Sequence, residues 1–229
     1  MLYMVATPIG NLEDITFRAV RILKEADFVI AEDTRHSKIL FDRYDIKTPL
    51  CSFHAQSSLA KVQTLIDRIK KGESAAYISD AGTPCVSDPG FALVREAVKE
   101  GIPIVPIPGA SALTSFLSVS GLPADEFIFH GFLPHKKGRQ TILQSFSNTK
   151  IVHIFYESVH RFPRLLEELL KILESDHPIA VGRELTKQHE EIFRGTVAEA
   201  MTHFMTTNTK GEFVVGIAPC DFSQKNKNL

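Results

Sequence analysis

Short apolar runs that alternate with helical patterns are the feature of the first half of the chain that most restricts its fold. The runs cover residues 2–6, 28–31, 75–78 and 102–107, and apolar residues recur at helical spacing between them. Buried strands separated by amphipathic helices are typical of a parallel sheet with helices packed on it. The pattern therefore predicts an α/β fold.

Three of these runs end in rigid turns that contain glycine and proline, at 7–11, 80–84 and 108–111. Glycine permits a positive φ or a close approach of a ligand to the backbone, and proline fixes φ. Open α/β sheets bind ligands at the carboxyl ends of their strands. Three such turns predict a shared ligand crevice, although an ordinary turn with Asp88 as a helix cap also explains the stretch 79–89.

Acidic residues follow the same strands and restrict the ligand. The turns hold neither a P-loop nor a G-x-G-x-x-G motif, whereas Glu32, Asp33, Asp80 and Asp88 lie in loops at one predicted edge. Carboxylates accept hydrogen bonds from ribose hydroxyls and attract a cationic group. S-adenosylmethionine carries both features, but capping and turn formation explain each acid taken separately.

The turn-rich stretch 121–125 predicts a boundary between an N-terminal α/β domain, 1–121, and a C-terminal α/β domain, 122–229. Strand-like runs at 151–156, 178–182 and 212–218 and a leucine-rich helix near 165–173 follow it. We expect little regular structure in the polar tail 223–229.

Composition restricts the partners and the compartment. The formal net charge of −1 gives no overall sign of a nucleic-acid partner. A basic surface that binds nucleic acid therefore has to be local, as at 135–139. Three widely spaced cysteines and scattered histidines predict no metal site and a reducing cytoplasm. The sequence shows no signal-peptide pattern and no apolar run near the ~20 residues that cross a bilayer, so we expect no membrane association.

Six motifs, in order along the chain, closely resemble the family of ribosomal RNA small subunit methyltransferases I, which have the tetrapyrrole methylase fold. The resemblance runs from residue 2 to about residue 218. The motifs are VATPIGNL (5–12), AEDTRH (31–36), SDAGTP (79–84), SDPG (87–90), FYESVHR (155–161) and RELTK (183–187). Val159 stands where that family usually has proline, and the small helical domain that usually follows is expected to be missing.

The resemblance implies a homodimer of two-domain chains with S-adenosylmethionine in the cleft between the domains. It implies methyl transfer to the ribose 2′-hydroxyl of a cytidine in small-subunit (16S) ribosomal RNA, either free or in the assembled subunit. Carried over by position, the cofactor contacts are Pro8, Gly82, Thr83, Val86, Ser87, Ser111, Ala112, Tyr156, Leu185 and Glu212.

A base has to take the proton of the hydroxyl group. The candidates for this catalytic role are Glu157, Glu184 and Lys187, followed by Asp33 and His36. Pairing of Glu184 with Arg183, or a phosphate contact by Lys187, is the alternative explanation for those residues. The expected RNA contacts are Arg35, Lys136, Lys137, Arg139, His160 and Arg161.

Two other functions remain open on the sequence alone. One is methylation of a tetrapyrrole or another non-RNA acceptor on the same fold, which gives the basic loop at 136–139 no purpose. The other is a catalytically inactive RNA-binding module, which gives the glycine turns at 82 and 109 no purpose.

Overall fold

The computed structural model describes residues 1–54, 56–206 and 210–222, so the expectation for the tail 223–229 lies outside the described residues. Its contacts divide the chain into two compact units, Met1–Ser111 and Ala112–Leu229. The division falls at Ser111 rather than at the predicted Gly121, because the helix Ala112–Ser120 packs on three strands of the second unit.

The first unit is a five-stranded parallel sheet with helices on both faces. The strand order is β3-β2-β4-β1-β5. The strands are β1 (Leu2–Val5), β2 (Phe28–Ala31), β3 (Leu50–Ser52), β4 (Ala75–Ile78) and β5 (Ile104–Ile107). The helices are α1 (Phe17–Glu25), α2 (Thr34–Tyr44), α3 (Leu59–Lys70) and α4 (Phe91–Lys99).

Alternate residues of these strands pack into two separate cores, one on each face of the sheet, because successive side chains of a strand point to opposite faces. Phe28 and Tyr77 pack with α3 and α4 on one face, whereas Val29 and Ile78 pack with α1 and α2 on the other. Each central strand is therefore apolar along its whole length. The predicted α/β class is confirmed for this unit.

Helix α2 begins earlier than the sequence pattern indicates. The polar residues 32–36 predict a loop followed by a short helix over Ser37–Tyr44, but Thr34–Tyr44 is helical. The cause is Asp33, whose Oδ1 accepts a hydrogen bond from the Arg35 amide at 2.8 Å and so caps the first turn. Arg35 and His36 consequently lie on a helix.

The second unit is a mixed five-stranded sheet in the order β6-β7-β10-β8-β9, and only β6 and β7 are parallel within it. The strands are β6 (Phe127–Phe132), β7 (Val152–Ser158), β8 (Pro178–Arg183), β9 (Glu191–Thr196) and β10 (Glu212–Ile217). The helices are α5 (Ala112–Ser120), α6 (Arg139–Ser145), α7 (Phe162–Leu170) and α8 (Val197–Thr206).

Helices α6, α7 and α8 contribute to the main core on one face of this sheet, and α5 covers the other face. Phe116 of α5 is fully buried against Gly182 and Gly216, where an added Cβ would lie 2.9 Å from its ring in each case. The two glycines thus make room for an aromatic ring on the sheet. No helix among the described residues has the length and hydropathy that crossing a membrane requires.

Candidate functional site

The predicted turns of the first unit do come together. Thr7 and Gly82 form an antiparallel bridge in which each amide donates to the other carbonyl at 3.0 Å. The turn after β5 joins them, since the Thr83 hydroxyl donates to the Ala110 carbonyl at 3.2 Å. The turns that follow β1, β4 and β5 therefore form one group, at the carboxyl edge of the sheet where open α/β folds bind ligands.

Two glycines in this group allow the turns to pack closely against each other. Gly82 has a φ of +82°, and a Cβ there would lie 3.3 Å from Ile9 Cγ2. At Gly109 a Cβ would lie 3.1 Å from Ala6 Cβ. A side chain at Gly82 would face strain and crowding together, so this position requires glycine.

The rest of the long turn after β4 is strained and partly exposed. Cys85 and Ser87 have positive φ values of 68° and 66°, which non-glycine residues seldom adopt. Val86 and Ser87 are exposed, whereas Pro8 is buried. Backbone strain of this kind is concentrated at ligand sites, which agrees with the role predicted for Val86 and Ser87.

Glu32, Tyr77, Asp80 and Asp88 form a further group at the ends of β2 and β4, which we call the acidic pocket. Asp80 Oδ1 accepts a hydrogen bond from the Asp33 amide at 3.0 Å, which ties the two strand ends together. Burial raises the pKa of Glu32, and the carboxylates of Asp80 and Asp88 raise it further. Burial, followed by Asp88 and Glu32, likewise raises the pKa of Tyr77.

Sequence reasoning placed the acids at one edge but did not single out Tyr77. A tyrosine inside an apolar strand is typical of a core residue, and Tyr77 is indeed fully buried. Its hydroxyl, however, has no hydrogen-bond partner among the described residues. No pattern in the sequence signals an unpaired hydroxyl, because the pairing depends on residues distant in sequence.

The second unit has its own group of predicted residues at one edge of its sheet. Strand β10 places Val214 opposite Tyr156, and the Glu184 amide donates to the Glu212 carbonyl at 2.9 Å. Tyr156, Leu185 and Glu212 thus share the edge where β7 and β8 end and β10 begins. Burial raises the pKa of Tyr156. A hydrogen bond with the Leu113 backbone lowers it by less, so the net pKa is raised.

Glu184 and Lys187, both proposed as proton acceptors, are bonded to each other. The Lys187 ammonium group donates to Glu184 at 2.9 Å and to Glu212 at 3.0 Å, and the Glu212 amide donates to Glu184 at 2.9 Å. Burial raises the pKa of Glu184 and lowers that of Lys187, but these hydrogen bonds outweigh burial in both cases. The net pKa is therefore lowered for Glu184 and raised for Lys187, which disfavours proton acceptance by either.

The structure contradicts the catalytic role predicted for Glu157, which is 1 % exposed. Its carboxylate lies 2.6 Å from an Arg161 nitrogen and 3.4 Å from an Arg139 nitrogen. Arg139 also donates to Glu168 at 2.8 Å. A carboxylate buried between two guanidinium groups stabilises structure and has no access to a substrate.

The same network contradicts the phosphate contact predicted for Arg139, which is 4 % exposed. The basic stretch contains the turn before α6, but Arg139 is the first residue of that helix and turns inward to Glu168, far along the sequence. Arg161 is bound inward too, because it also donates to the Leu133 carbonyl at 2.9 Å.

Four of the predicted RNA contacts remain exposed: Arg35, Lys136, Lys137 and His160. Arg35 donates to both oxygens of Asp33, at 3.1 and 2.7 Å, so a phosphate there has to compete with a carboxylate. The bonds from Arg35 lower the pKa of Asp33, which makes Asp33 a poor proton acceptor. The described residues contain no group of three or more His, Cys, Asp or Glu that fits a metal ion.

A protein-family model described as "Tetrapyrrole (Corrin/Porphyrin) Methylases" matches residues 1–201. The chain belongs to the tetrapyrrole methylase family. This confirms the family that the six motifs indicated.

Two relatives are both named "Ribosomal RNA small subunit methyltransferase I". The protein of Halalkalibacterium halodurans is 50% identical over 213 residues, which cover 93% of this methylase and 73% of the relative. The protein of Thermotoga maritima is 45% identical over 214 residues, which cover 93% of this chain and 96% of the relative. The resemblance seen in the motifs is thus confirmed over most of the chain.

A solved structure confirms the fold class. It is the uroporphyrin-III C-methyltransferase of Thermus thermophilus in complex with S-adenosylhomocysteine, with a TM-score of 0.64 and 18% identity. The match covers 94% of this methylase and 96% of that chain. At this identity the comparison establishes a shared fold.

Proposed function

We propose that this protein transfers the methyl group of S-adenosylmethionine to the ribose 2′-hydroxyl of a cytidine in small-subunit ribosomal RNA. The observation that carries the proposal is identity of 45% and 50% to two proteins named as small-subunit rRNA methyltransferases I, over 93% of the chain. The matched region spans 93% of the chain, so it includes most of both units.

S-adenosylmethionine fits two features of the first unit. The turn at Gly82 has a φ of +82° that favours glycine, and Val86 and Ser87 of the same turn are exposed. We assign the cofactor to Pro8, Gly82, Thr83, Val86, Ser87 and Ser111 of this unit, and extend the assignment by resemblance to Ala112, Tyr156, Leu185 and Glu212.

The cofactor supplies an activated methyl group on a sulfonium, so the chain needs no covalent intermediate. Its residues have to bind and orient the acceptor hydroxyl, exclude water and receive one proton. The turns around Thr7, Gly82 and Ala110 are joined by hydrogen bonds, which suits a binding surface that has to hold its shape.

The RNA surface that we propose contains Lys136, Lys137 and His160, which are all exposed in the second unit. Lys136 and Lys137 lie in the turn before α6, and Arg139 anchors that turn from inside. Phosphate contacts of this kind position a strand without reading its sequence. Arg35 in the first unit is a further exposed cation.

We extend the proposal to a homodimer and to a cytoplasmic location. Both rest on the family resemblance, and the second follows from a ribosomal substrate. Sedimentation of the purified protein, with and without S-adenosylmethionine, measures the oligomeric state.

The test uses S-adenosylmethionine labelled in its methyl group, together with purified small ribosomal subunits and the free rRNA. We expect label in the RNA as a 2′-O-methyl ribose, which protects the adjacent phosphodiester from alkali because the 2′-oxygen no longer attacks it. Label on a base, or transfer to a tetrapyrrole but not to RNA, would overturn the proposal. Binding of RNA without any transfer would support the inactive module instead.

A further inference from the structure

The acidic pocket contains two buried polar atoms that the protein does not satisfy. Tyr77 is fully buried, and neither its hydroxyl nor Asp88 Oδ2 has a hydrogen-bond partner among the described residues. The other oxygen of Asp88 is used, since it accepts from the Gly90 amide at 2.9 Å. Buried polar groups nearly always have a hydrogen-bond partner. Two unpaired polar atoms in one group therefore point to a ligand that supplies the missing hydrogen bonds.

The charges of the pocket define the chemistry of that ligand. Burial and the carboxylates of Asp80 and Asp88 raise the pKa of Glu32, and a hydrogen bond with the Asp80 backbone lowers it. Burial and the carboxylate of Asp88 raise the pKa of Tyr77 and also raise the pKa of Cys85 to about 11, so both are neutral near pH 7. Three carboxylates with two unpaired acceptor or hydroxyl atoms suit a ligand that donates hydrogen bonds, such as a ribose.

The position of the pocket agrees with that chemistry. Glu32 directly follows β2, and Asp80 lies two residues beyond β4, at the same sheet edge as the Thr7–Gly82 bridge. Asp80 and Asp88 of the pocket therefore belong to the same stretch, 79–90, as Gly82, Val86 and Ser87 of the proposed cofactor turn. Any acceptor hydroxyl bound here lies beside the turn to which we assign the methyl donor.

We propose that the acidic pocket receives the ribose of the acceptor nucleotide and that Glu32 takes the proton from its 2′-hydroxyl. In this step the 2′-oxygen bonds to the methyl carbon while the carbon–sulfur bond breaks. The electron pair of that bond stays on sulfur and leaves S-adenosylhomocysteine, and the hydroxyl proton passes to the Glu32 carboxylate. This inference rests on the proposed function.

Glu32 suits the role better than the acids that the sequence suggested. Glu157 is closed in by Arg139 and Arg161, Glu184 is bonded to Lys187, and Asp33 is bonded to Arg35. The bonds to Glu184 and Asp33 lower the pKa of those two carboxyl groups and weaken them as bases, and Glu157 is buried away from any substrate. Glu32 instead faces like charges, which favour uptake of a proton.

The experiment compares single-turnover methyl transfer to small ribosomal subunits, at saturating labelled S-adenosylmethionine, for wild type and Glu32→Gln. Loss of a general base lowers the rate by about 10²-fold or more, and we expect a loss of that size with unchanged S-adenosylmethionine affinity by calorimetry. Glu25→Gln is the matched control, because Glu25 is an exposed residue paired with Arg21 at the end of α1, before the amino end of β2, whereas Glu32 follows the carboxyl end of that strand. That variant should keep the wild-type rate.

A pH profile gives a second, independent readout. The acid limb of the wild-type rate should follow the ionisation of Glu32, and Glu32→Gln should remove that limb. Asp88→Asn removes one of the two carboxylates that oppose ionisation of Glu32, while its amide oxygen keeps the bond to the Gly90 amide. The acid limb of Asp88→Asn should therefore shift to lower pH, whatever plateau rate the variant reaches.

The outcomes separate this inference from the proposed function. Full transfer by Glu32→Gln, or an acid limb that does not move in Asp88→Asn, overturns the role of Glu32 and leaves the function in place. A loss of S-adenosylmethionine affinity that accounts for the lost rate shows that the pocket serves the cofactor, and also overturns it. Failure of the wild-type protein to label rRNA overturns both.

Discussion

At the scale of single residues, Gly82 carries the most specific expectation. Valine there would have to adopt a φ of +82° with its Cβ 3.3 Å from Ile9 Cγ2, and left-handed backbone costs about 1–2 kcal/mol for a residue with a side chain. We expect Gly82→Val to fold but to lose detectable binding of S-adenosylmethionine by calorimetry, since the side chain crowds Ile9 and displaces the joined turns to which we assign the cofactor.

The control for that experiment is Gly101→Val. Gly101 also has a positive φ, +65°, but a Cβ there meets nothing within 4 Å. Both variants should lose stability through backbone strain, and only Gly82→Val should lose the cofactor. Unchanged affinity in a folded Gly82→Val protein would contradict the placement of the cofactor at this turn.

At the scale of elements, buried charges join α6, β7 and α7 of the second unit. Arg139 at the start of α6 donates to Glu168 of α7 and to Glu157 of β7. Removing one member of a buried ion pair leaves an uncompensated charge and costs about 3–5 kcal/mol. We expect Arg139→Met to lower the free energy of unfolding in urea by that amount.

Lys136→Met is the matched control for Arg139→Met, because Lys136 is exposed three residues earlier. Surface substitutions of this kind change stability by less than about 0.5 kcal/mol. The measurement is urea unfolding monitored by circular dichroism. Equal free energies of unfolding for Arg139→Met and wild type would show that the network does not hold these elements together.

A second element-scale expectation concerns the parallel pair β6 and β7. His153 of β7 is 4 % exposed and bonds to His130 and to Thr149, each at 2.8 Å. Burial, and then the charge of His130, lower the pKa of His153 from 6.5 to about 4. The unfolded chain thus binds the proton more tightly than the folded one between these two values.

Stability should therefore fall as the pH drops from 6.5 towards 4, and the contribution of His153 should level off below that. A shift of this size corresponds to roughly 3 kcal/mol. The measurement is the difference in unfolding free energy between wild type and His153→Gln at pH 7.5 and near pH 4. A difference that does not change with pH would show that His153 takes up its proton without a penalty.

The sequence predicted the elements well where local pattern determines them. The parallel strands and the helix Leu59–Lys70 follow directly from apolar periodicity. It failed where a distant partner decides, as at Arg139, whose basic neighbours suggested an exposed loop although Glu168 holds it inside. Helix α2 started early because the capping bond of Asp33 is a single local contact that leaves no periodic signal.

The same distinction, between local pattern and distant partners, applies to the candidate site. Motifs and turns indicated the group around Gly82, because glycine and proline report backbone geometry directly in the sequence. The unpaired hydroxyl of Tyr77 and the bonds between Glu184 and Lys187 depend on which residues the fold brings together. Sequence reasoning therefore proposed bases whose charges the structure compensates, and did not single out the pocket around Glu32.

At the scale of the whole molecule, RNA affinity has to come from a local surface, since the formal net charge is −1. Lys136 and Lys137 are adjacent and exposed in the turn before α6. Arg139, the third cation of that stretch, is buried and so has no part in the contact. The test of the surface therefore replaces the two lysines and leaves the arginine in place.

Lys136→Ala/Lys137→Ala should weaken RNA binding across sequences and leave S-adenosylmethionine affinity unchanged. Each lost phosphate contact should flatten the slope of log K against log salt by about 0.7 for a single strand or about 0.9 for a duplex. Lys150→Ala/Lys171→Ala removes the same charge from two other exposed positions of the second unit and serves as the control. Long-range attraction alone would change both double variants equally, whereas direct contact changes only the first. Equal slopes for the wild type and Lys136→Ala/Lys137→Ala would exclude this turn from the RNA surface and leave His160 and Arg35 as the positions to test next.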